Sequence, residues 1–308
     1  MSLYMQLLLL TGDRSAPGAM RLPIRHPEAA RSMDDPRSAR VADGELRYLR
    51  RGAGQPLVLL HTLRTQLEYF LPLLRELDTT RFDVIVPDLP GHGRATAPRV
   101  AYTADYFTDA VEELLAACGL RDAVIVGESI GASIALGLAA RHSPRVARVV
   151  ALNPYDYGRW GGIRRSSVLA NVLFTAMLWP GVGAIVARAG TKGVLRRVLE
   201  GGLHDPRQLP SELVDELYQC GSLPGHARAF RSLCLHWNSW IAARARYPAI
   251  TVPVTLAYGD DDWSRPEERE ANLRAIPGAR SAPLRGCGHF SSLDRPQDVA
   301  RIIVEGGT

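Results

Sequence analysis

The chain has 308 residues, 46% hydrophobic and 22% charged, which suffices for a complete α/β core carrying an additional layer or lid. Its net charge of +5 does not indicate nucleic acid: Lys192 is the only lysine among 37 basic residues, the arginine skew follows coding bias, and no basic stretch is interleaved with aromatics. Four cysteines (118, 220, 234 and 287) show neither metal-ligand spacing nor a disulfide framework, the pattern of reduced buried thiols in a cytoplasmic protein.

In chain order, Leu3 to Leu10 is apolar but short, lacks a cationic start, and does not read as a secretory signal. Residues 1–40 read as an irregular extension, rich in Pro, Ala, Arg and Asp from Thr11 onward. Two strands are expected at Glu45 to Arg50 and Pro56 to His61, then a helix at Gln66 to Leu77, where Leu67, Phe70, Leu71 and Leu74 fall at helical spacing. A strand at Phe82 to Val86 leads into Pro87-Asp88-Leu89-Pro90-Gly91-His92-Gly93-Arg94. A helix follows from Thr103 to Cys118, with apolar Phe107, Val111, Leu114 and Leu115. The strand Ala123 to Val126 ends in the G-x-S-x-G box Gly127-Glu128-Ser129-Ile130-Gly131, and a helix runs from Ile130 to Arg141. After a strand at Val146 to Leu152 the alternation stops. Helices are expected at Ile163 to Leu178, Val182 to Ala189, Gly193 to Glu200, Ser211 to Cys220 (with Ser211 as N-cap) and His226 to Tyr247. Alternation resumes with Val252 to Tyr258, which ends in Gly259-Asp260-Asp261-Asp262-Trp263-Ser264-Arg265-Pro266. A short run near Ala282 to Leu284 precedes Gly286-Cys287-Gly288-His289-Phe290.

Strands alternating with helices indicate βαβ units and a mostly parallel sheet, whose ligands sit at the carboxyl ends of strands. Ser129, the aspartate cluster and His289 each lie just past such an end. Ser, then acid, then His is the chain order of the α/β-hydrolase fold, and here the resemblance is plain. The chain resembles that family over roughly residues 45–154 and 250–305. His61-Thr62 is similar to its His-Gly oxyanion segment, residues 87–94 to its loop after the next strand, and Gly259 to Pro266 to its G-x-x-D-x-x-x-P pattern, which picks out Asp262. The resemblance implies a core of residues 41–154 and 248–308 with a helical lid at 155–247.

The implied roles are nucleophile for Ser129, general base for His289, and orienting carboxylate for Asp262. Asp260, Asp261 and Asp156 stay open as alternative acids. By resemblance, the oxyanion donors are the backbone N–H groups of Ile130 and Leu63, although Thr62 stands where the family has Gly. Three consecutive carboxylates lack the dispersed oxygen ligands of a cation loop, so neither metal nor organic cofactor is expected. Cys287 reads as a packed thiol and His92 as structural.

The expected lid carries 12 basic and 6 acidic residues over 155–250 and four of the five tryptophans (160, 179, 237 and 240). Within it Ser166 to Ala187 holds no charge, nearly the length of a membrane span, but Pro180-Gly181 breaks it. The stretch reads as lid helices over an apolar acyl or ring substrate, with transient contact to a lipid or membrane surface as the alternative. Leu173, Phe174, Met177 and Trp179, with Thr62 below, are the expected substrate-pocket residues. The expected function is a serine hydrolase acting on a small to medium apolar carboxylic ester, a small-molecule substrate, through an acyl-enzyme. Thioester, lactone and carbon–carbon hydrolysis, perhydrolysis and acyl transfer use the same triad. A non-catalytic ligand binder of this fold is the alternative of another class. Oligomeric state is not readable from these patterns.

Overall fold

The computed structural model describes residues 36–157 and 162–306. Its centre is an eight-stranded sheet in the order β1-β2-β4-β3-β5-β6-β7-β8. These strands are β1 (Arg37–Val41), β2 (Gly44–Gly52), β3 (Gln55–Leu60), β4 (Phe82–Pro87), β5 (Ala123–Glu128), β6 (Val146–Leu152), β7 (Val254–Gly259) and β8 (Arg280–Leu284). The pairs β1–β2 and β2–β4 are antiparallel, and from β4 through β3 to β8 every pair is parallel. The fold class expected from the sequence is thereby observed.

Parallel strands covered on both faces read as unbroken apolar runs. β4 and β5 are buried at every position. Helices cover the sheet: α1 (Leu71–Glu76), α2 (Ala104–Ala117) and α3 (Ile130–Ala140) precede β6 in the chain. Thr103 caps α2 by accepting from the Tyr106 amide, and α3 is buried along its whole length.

Between β6 and β7 the described residues form a helical insert: α4 (Val168–Leu178), α5 (Val182–Arg188), α6 (Lys192–Glu200), α7 (Ser211–Gly221), α8 (His226–Leu235) and α9 (Trp237–Ala243). The chain then returns through β7, α10 (Pro266–Ala275), β8, α11 (Ser291–Asp294) and α12 (Pro296–Glu305).

Several expectations need correction. The core begins before residue 41: β1 starts at Arg37, inside the stretch expected to be irregular, because pairing with β2 buries Ala39 and Val41 despite three polar neighbours. Residues 1–35 of that stretch lie outside the described residues, as does Trp160. The expected helix at residues 66–77 opens as a tighter 3₁₀ turn (Leu67–Phe70) before α1. Pro210, not Ser211, is the N-cap of α7, and the Ser211 hydroxyl accepts instead from Arg196 Nη2 at 2.9 Å. The helix expected over residues 226–247 breaks at His236, whose imidazole Nδ1 reaches back to the Ser232 carbonyl at 2.7 Å. Among the described residues no helix is long and apolar enough to cross a membrane. The uncharged stretch bends at Trp179-Pro180-Gly181 into α4 and α5.

Candidate active site

The site is built where β5 turns into α3. Ser129 has φ 58° and ψ −115°, a region that costs a non-glycine residue roughly 1–3 kcal/mol and persists only where its surroundings enforce it. The flanking glycines make the turn possible. A Cβ on Gly127 would lie 2.1 Å from the Gly131 carbonyl oxygen, and one on Gly131 would lie 2.1 Å from the Leu60 carbonyl oxygen. The absence of both side chains lets α3 start directly against the ends of β5 and β3, with Ser129 lifted above the sheet edge.

His289 sits beyond β8 with its imidazole fully buried. Its Nε2 lies 2.9 Å from Ser129 Oγ, and its Nδ1 lies 2.5 Å from Asp262 Oδ1. The structure therefore brings together Ser129, Asp262 and His289 from across 160 positions of sequence. Asp262 Oδ2 is held separately: it accepts from Tyr157 OH at 3.2 Å, from the Ser264 amide at 2.9 Å and from the Ser264 hydroxyl. Burial pushes the Asp262 carboxyl up, but the charge of His289 and the bonds from His289 and Ser264 outweigh it and hold the group below its usual range. The carboxylate stays ionised beside the ring.

The neighbouring acids point elsewhere. Asp260 accepts from the amides of Gly286 and Cys287, and Asp261 pairs with His204 Nδ1 at 2.5 Å. Asp156 is buried against Tyr247 OH at 3.0 Å and the Asn272 amide, and burial raises its carboxyl to about 6. The three consecutive carboxylates thus serve three different partners. Among the described residues no cluster of three or more His, Cys, Asp or Glu side chains could hold a metal ion.

The segment after β3 is fixed by His61. The Leu89 amide donates to His61 Nε2 at 2.9 Å, so the ring proton resides on Nδ1, which donates to the Thr62 carbonyl at 2.8 Å. Burial lowers the His61 imidazole to about 4, keeping it neutral. The same carbonyl accepts from Thr65 Oγ1 at 2.9 Å. A trans peptide directs its N–H opposite to its C=O, so the Leu63 amide faces away from this cluster. Thr62 itself is buried. His92, buried beside His61 with 5.3 Å between ring centroids, sits 3.0 Å from the Pro90 carbonyl through Nδ1.

Of the expected pocket residues, Phe174 and Met177 are buried and Leu173 is half-buried. Phe174 meets Phe230 of α8 edge to face at 5.8 Å. Trp179 ends α4 at the Pro180-Gly181 break and is 61% exposed.

Several contributors carry no motif signal. Trp263 stacks on the His289 ring with centroids 3.9 Å apart and planes 15° apart. Asn153, at the end of β6, accepts from the Gly259 amide at 3.0 Å and donates to the His289 carbonyl and Ser291 Oγ. Glu128, directly before the nucleophile position, accepts from the Ser291 amide and, at 2.7 Å, from the Ser292 hydroxyl. Burial pushes its carboxyl up to about 8. Only Glu128's place inside the G-x-S-x-G box marked it, and the x positions of that pattern are free. The helical insert touches the base's loop through Gly202, whose carbonyl accepts from the His289 amide at 2.7 Å.

A buried serine on a strained strand-to-helix turn, bonded to an imidazole that is bonded to a carboxylate, defines the hydrolase class built on this sheet. The model of the alpha/beta hydrolase fold family matches residues 55–187, and the chain has that fold. It is 27% identical over 262 residues to a 2-hydroxymuconate semialdehyde hydrolase of Pseudomonas sp. (strain CF600), covering 82% of this chain and 86% of that one. The epoxide hydrolase CorEH superposes with a TM-score of 0.77 at 22% identity, over 88% of this chain and 97% of that one. The enol-lactonase of Burkholderia xenovorans LB400 superposes with a TM-score of 0.64 at 24% identity, over 88% and 99%. These structural likenesses establish the fold, and hydrolase names recur among the relatives.

Proposed function

We propose that this chain is a serine hydrolase that cleaves a carboxylic ester of small to medium apolar character through an acyl-enzyme. The observation that carries the reading is the relay from Asp262 Oδ1 to His289 at 2.5 Å and from His289 to Ser129 Oγ at 2.9 Å. Ser129 Oγ attacks the ester carbonyl carbon while His289 Nε2 takes the hydroxyl proton, and Asp262 stabilises the resulting imidazolium. The tetrahedral oxyanion accepts from the amides of Ile130 and Leu63. The Thr62 carbonyl, turned toward His61 and Thr65, supports the Leu63 assignment because it leaves that N–H facing the other way. As the acyl–oxygen bond breaks, His289 returns the proton to the departing alkoxide. Water then attacks the acyl-enzyme with His289 again as base, releasing the acid and restoring Ser129.

The helical insert acts as the lid of this site. Phe174 and Met177 supply its apolar underside, and Gly202 joins it to the loop of the base. A carboxylate nucleophile, which epoxide and haloalkane chemistry requires at this turn, is replaced here by Ser129, so likeness to an epoxide hydrolase does not carry over to reaction type. A second reading has the same triad hydrolyse a carbon–carbon bond beside a ketone. Similarity to the 2-hydroxymuconate semialdehyde hydrolase favours it.

Labelling with a fluorophosphonate tests the serine assignment. The wild type is expected to take up one equivalent and Ser129→Ala none. An unlabelled wild type, or a label retained by Ser129→Ala, overturns the proposal in favour of a non-catalytic binder or another nucleophile. Turnover of a series of 4-nitrophenyl esters of increasing acyl length then separates ester from carbon–carbon substrates.

A further inference from the structure

Some arginines of this chain are neutralised: Arg47, Arg50, Arg94, Arg141 and Arg165, for example, each bond a carboxylate at 3.0 Å or less. Five others, Arg64, Arg99, Arg188, Arg228 and Arg231, meet no carboxylate among the described residues. Arg228 and Arg231 donate only to backbone carbonyls, of Ala97 and of Met177 and Trp179. These five are not scattered. Arg64, Arg99, Arg188 and Arg228 line one opening of about 670 Å³ between the core and the helical insert, and Arg99, Arg188, Arg228 and Arg231 line the adjoining one. Among the described residues no Asp or Glu lines either.

Arg64 stands at the inner end. It also lines the small inner cavity with Thr65, Gln66, His92, His226 and Phe230, and its guanidinium lies 4.8 Å over the Phe230 ring. It immediately follows Leu63, the proposed oxyanion donor, and its backbone is held at φ 63°, a conformation a non-glycine residue adopts only when its surroundings require it. Burial lowers the guanidinium pKa. A half-buried guanidinium without a carboxylate beside it is costly, and a fork of N–H donors stacked on an aromatic ring matches a planar carboxylate.

We propose that Arg64 receives a carboxylate carried by the substrate itself, so that the natural substrates are acyl compounds bearing a free carboxylate, drawn in past Arg99, Arg188 and Arg228. The inference rests on the hydrolase reading and narrows its substrate class: the reacting group is enclosed by apolar side chains, and the far end is anionic.

The test compares charge-matched pairs on the full-length protein. One pair is mono-4-nitrophenyl glutarate against its methyl ester, which places the charge on the acyl side. The other is 4-acetoxybenzoate against methyl 4-acetoxybenzoate, which places it on the leaving group. For at least one pair, kcat/KM is expected to favour the anion by about ten- to hundred-fold, the range of a charge-assisted hydrogen bond. Arg64→Gln is expected to abolish that preference and Arg64→Lys to restore part of it. Fluorophosphonate labelling of Ser129 shows that each variant is folded. Should Arg64→Gln fail to fold, the wild-type salt dependence decides: kcat/KM for the anionic ester should fall as ionic strength rises while the neutral ester is unmoved. Labelling and ester turnover with no anion preference in either pair, or a preference untouched by Arg64→Gln, overturns this inference and leaves the hydrolase reading standing. A wild type that neither labels nor turns over any ester overturns both.

Discussion

Replacing Asp262 by Asn tests the relay with a perturbation of almost no volume. The geometry fixes how the new amide settles. Three donors converge on Oδ2: Tyr157 OH, the Ser264 amide and the Ser264 hydroxyl. An asparagine must place its carbonyl oxygen there, because an NH₂ group would face two or three donors at once. Its NH₂ group then occupies the Oδ1 position, 2.5 Å from His289 Nδ1 in the wild type. The imidazole must accept at Nδ1 and carry its proton on Nε2, facing Ser129 Oγ, so it can no longer take the hydroxyl proton. The variant also loses the negative charge that stabilises the imidazolium. Together these cost about 10⁴-fold in kcat, roughly 5.5 kcal/mol of barrier. The assay is 4-nitrophenyl ester turnover alongside thermal unfolding and fluorophosphonate labelling rate. Labelling should slow with turnover while the fold is retained. Asp156→Asn is the control: its carboxyl serves Tyr247 and Asn272, so the expected loss is in stability, with turnover within about tenfold. A kcat for Asp262→Asn within tenfold of wild type would refute the reasoning and return the role to a neighbouring acid.

The nucleophile turn is probed by Gly131→Ala, whose methyl would sit 2.1 Å from the Leu60 oxygen and 2.8 Å from that of His61. Relieving that contact separates the serine helix from the oxyanion segment by about 1 Å, so kcat should fall about 100-fold with a lowered Tm; turnover within threefold of wild type refutes the close approach. Glu128 predicts a pH signature. Its folded pKa, about 8, lies above the ordinary 4.5, so the folded state binds a proton the unfolded state releases between these values. Its stability contribution is complete below pH 4.5 and lost as pH rises through 8, by up to about 5 kcal/mol. Glu128→Gln, which mimics the protonated carboxyl toward Ser291 and Ser292, should flatten urea-unfolding stability across that window; an unchanged slope sinks the assignment. Ser264→Ala removes one donor to Asp262 Oδ2 and should lower kcat about tenfold by loosening the carboxylate, with little change in KM. A KM effect alone would count against that role.

What could be read from the sequence follows from how each element is stabilised. β4, β5 and β6 are stacked between helices and declare themselves as apolar runs. The edge strand β1 does not, since Arg37, Ser38 and Arg40 are exposed and the strand exists through its pairing with β2. α10 was equally silent: of its ten residues only Asn272 is buried, held by Asp156 and Tyr258 rather than by an apolar stripe. In the insert the helical period ran through His236 unbroken, because a local side-chain bond to the backbone ends α8 without changing the apolar pattern. Ser129, Asp262 and His289 were legible because their chemistry demands particular residue types at particular strand ends. Arg64 was not, because an arginine's significance lies in whether an acid stands beside it, and that is a fact of three dimensions.

The same distinction bears on which parts of the molecule hold the relay. The His289 loop is braced from the core side by Glu128 at the end of β5 and Asn153 at the end of β6. Both belong to the sheet, and each bonds backbone groups, which every residue type supplies, together with a serine hydroxyl. Trp263, two residues before Arg265 at the start of α10, then fixes the plane of the ring. The segment between β6 and β7 reaches this assembly through backbone, at the Gly202 carbonyl and at the Gly201 carbonyl that accepts from Trp263 Nε1, and through three side chains outside α4 to α9: Tyr157 on Asp262, Arg165 on the Trp263 carbonyl and His204 on Asp261. Side chains elsewhere in α4 through α9 are therefore free to change with little disturbance of the relay, which on the proposed function leaves the choice of substrate to the insert. On that division, likeness of fold to an epoxide hydrolase or an enol-lactonase says little about substrate, and the lining of the opening between core and insert, from Arg64 and Arg99 to Arg188 and Arg228, says more.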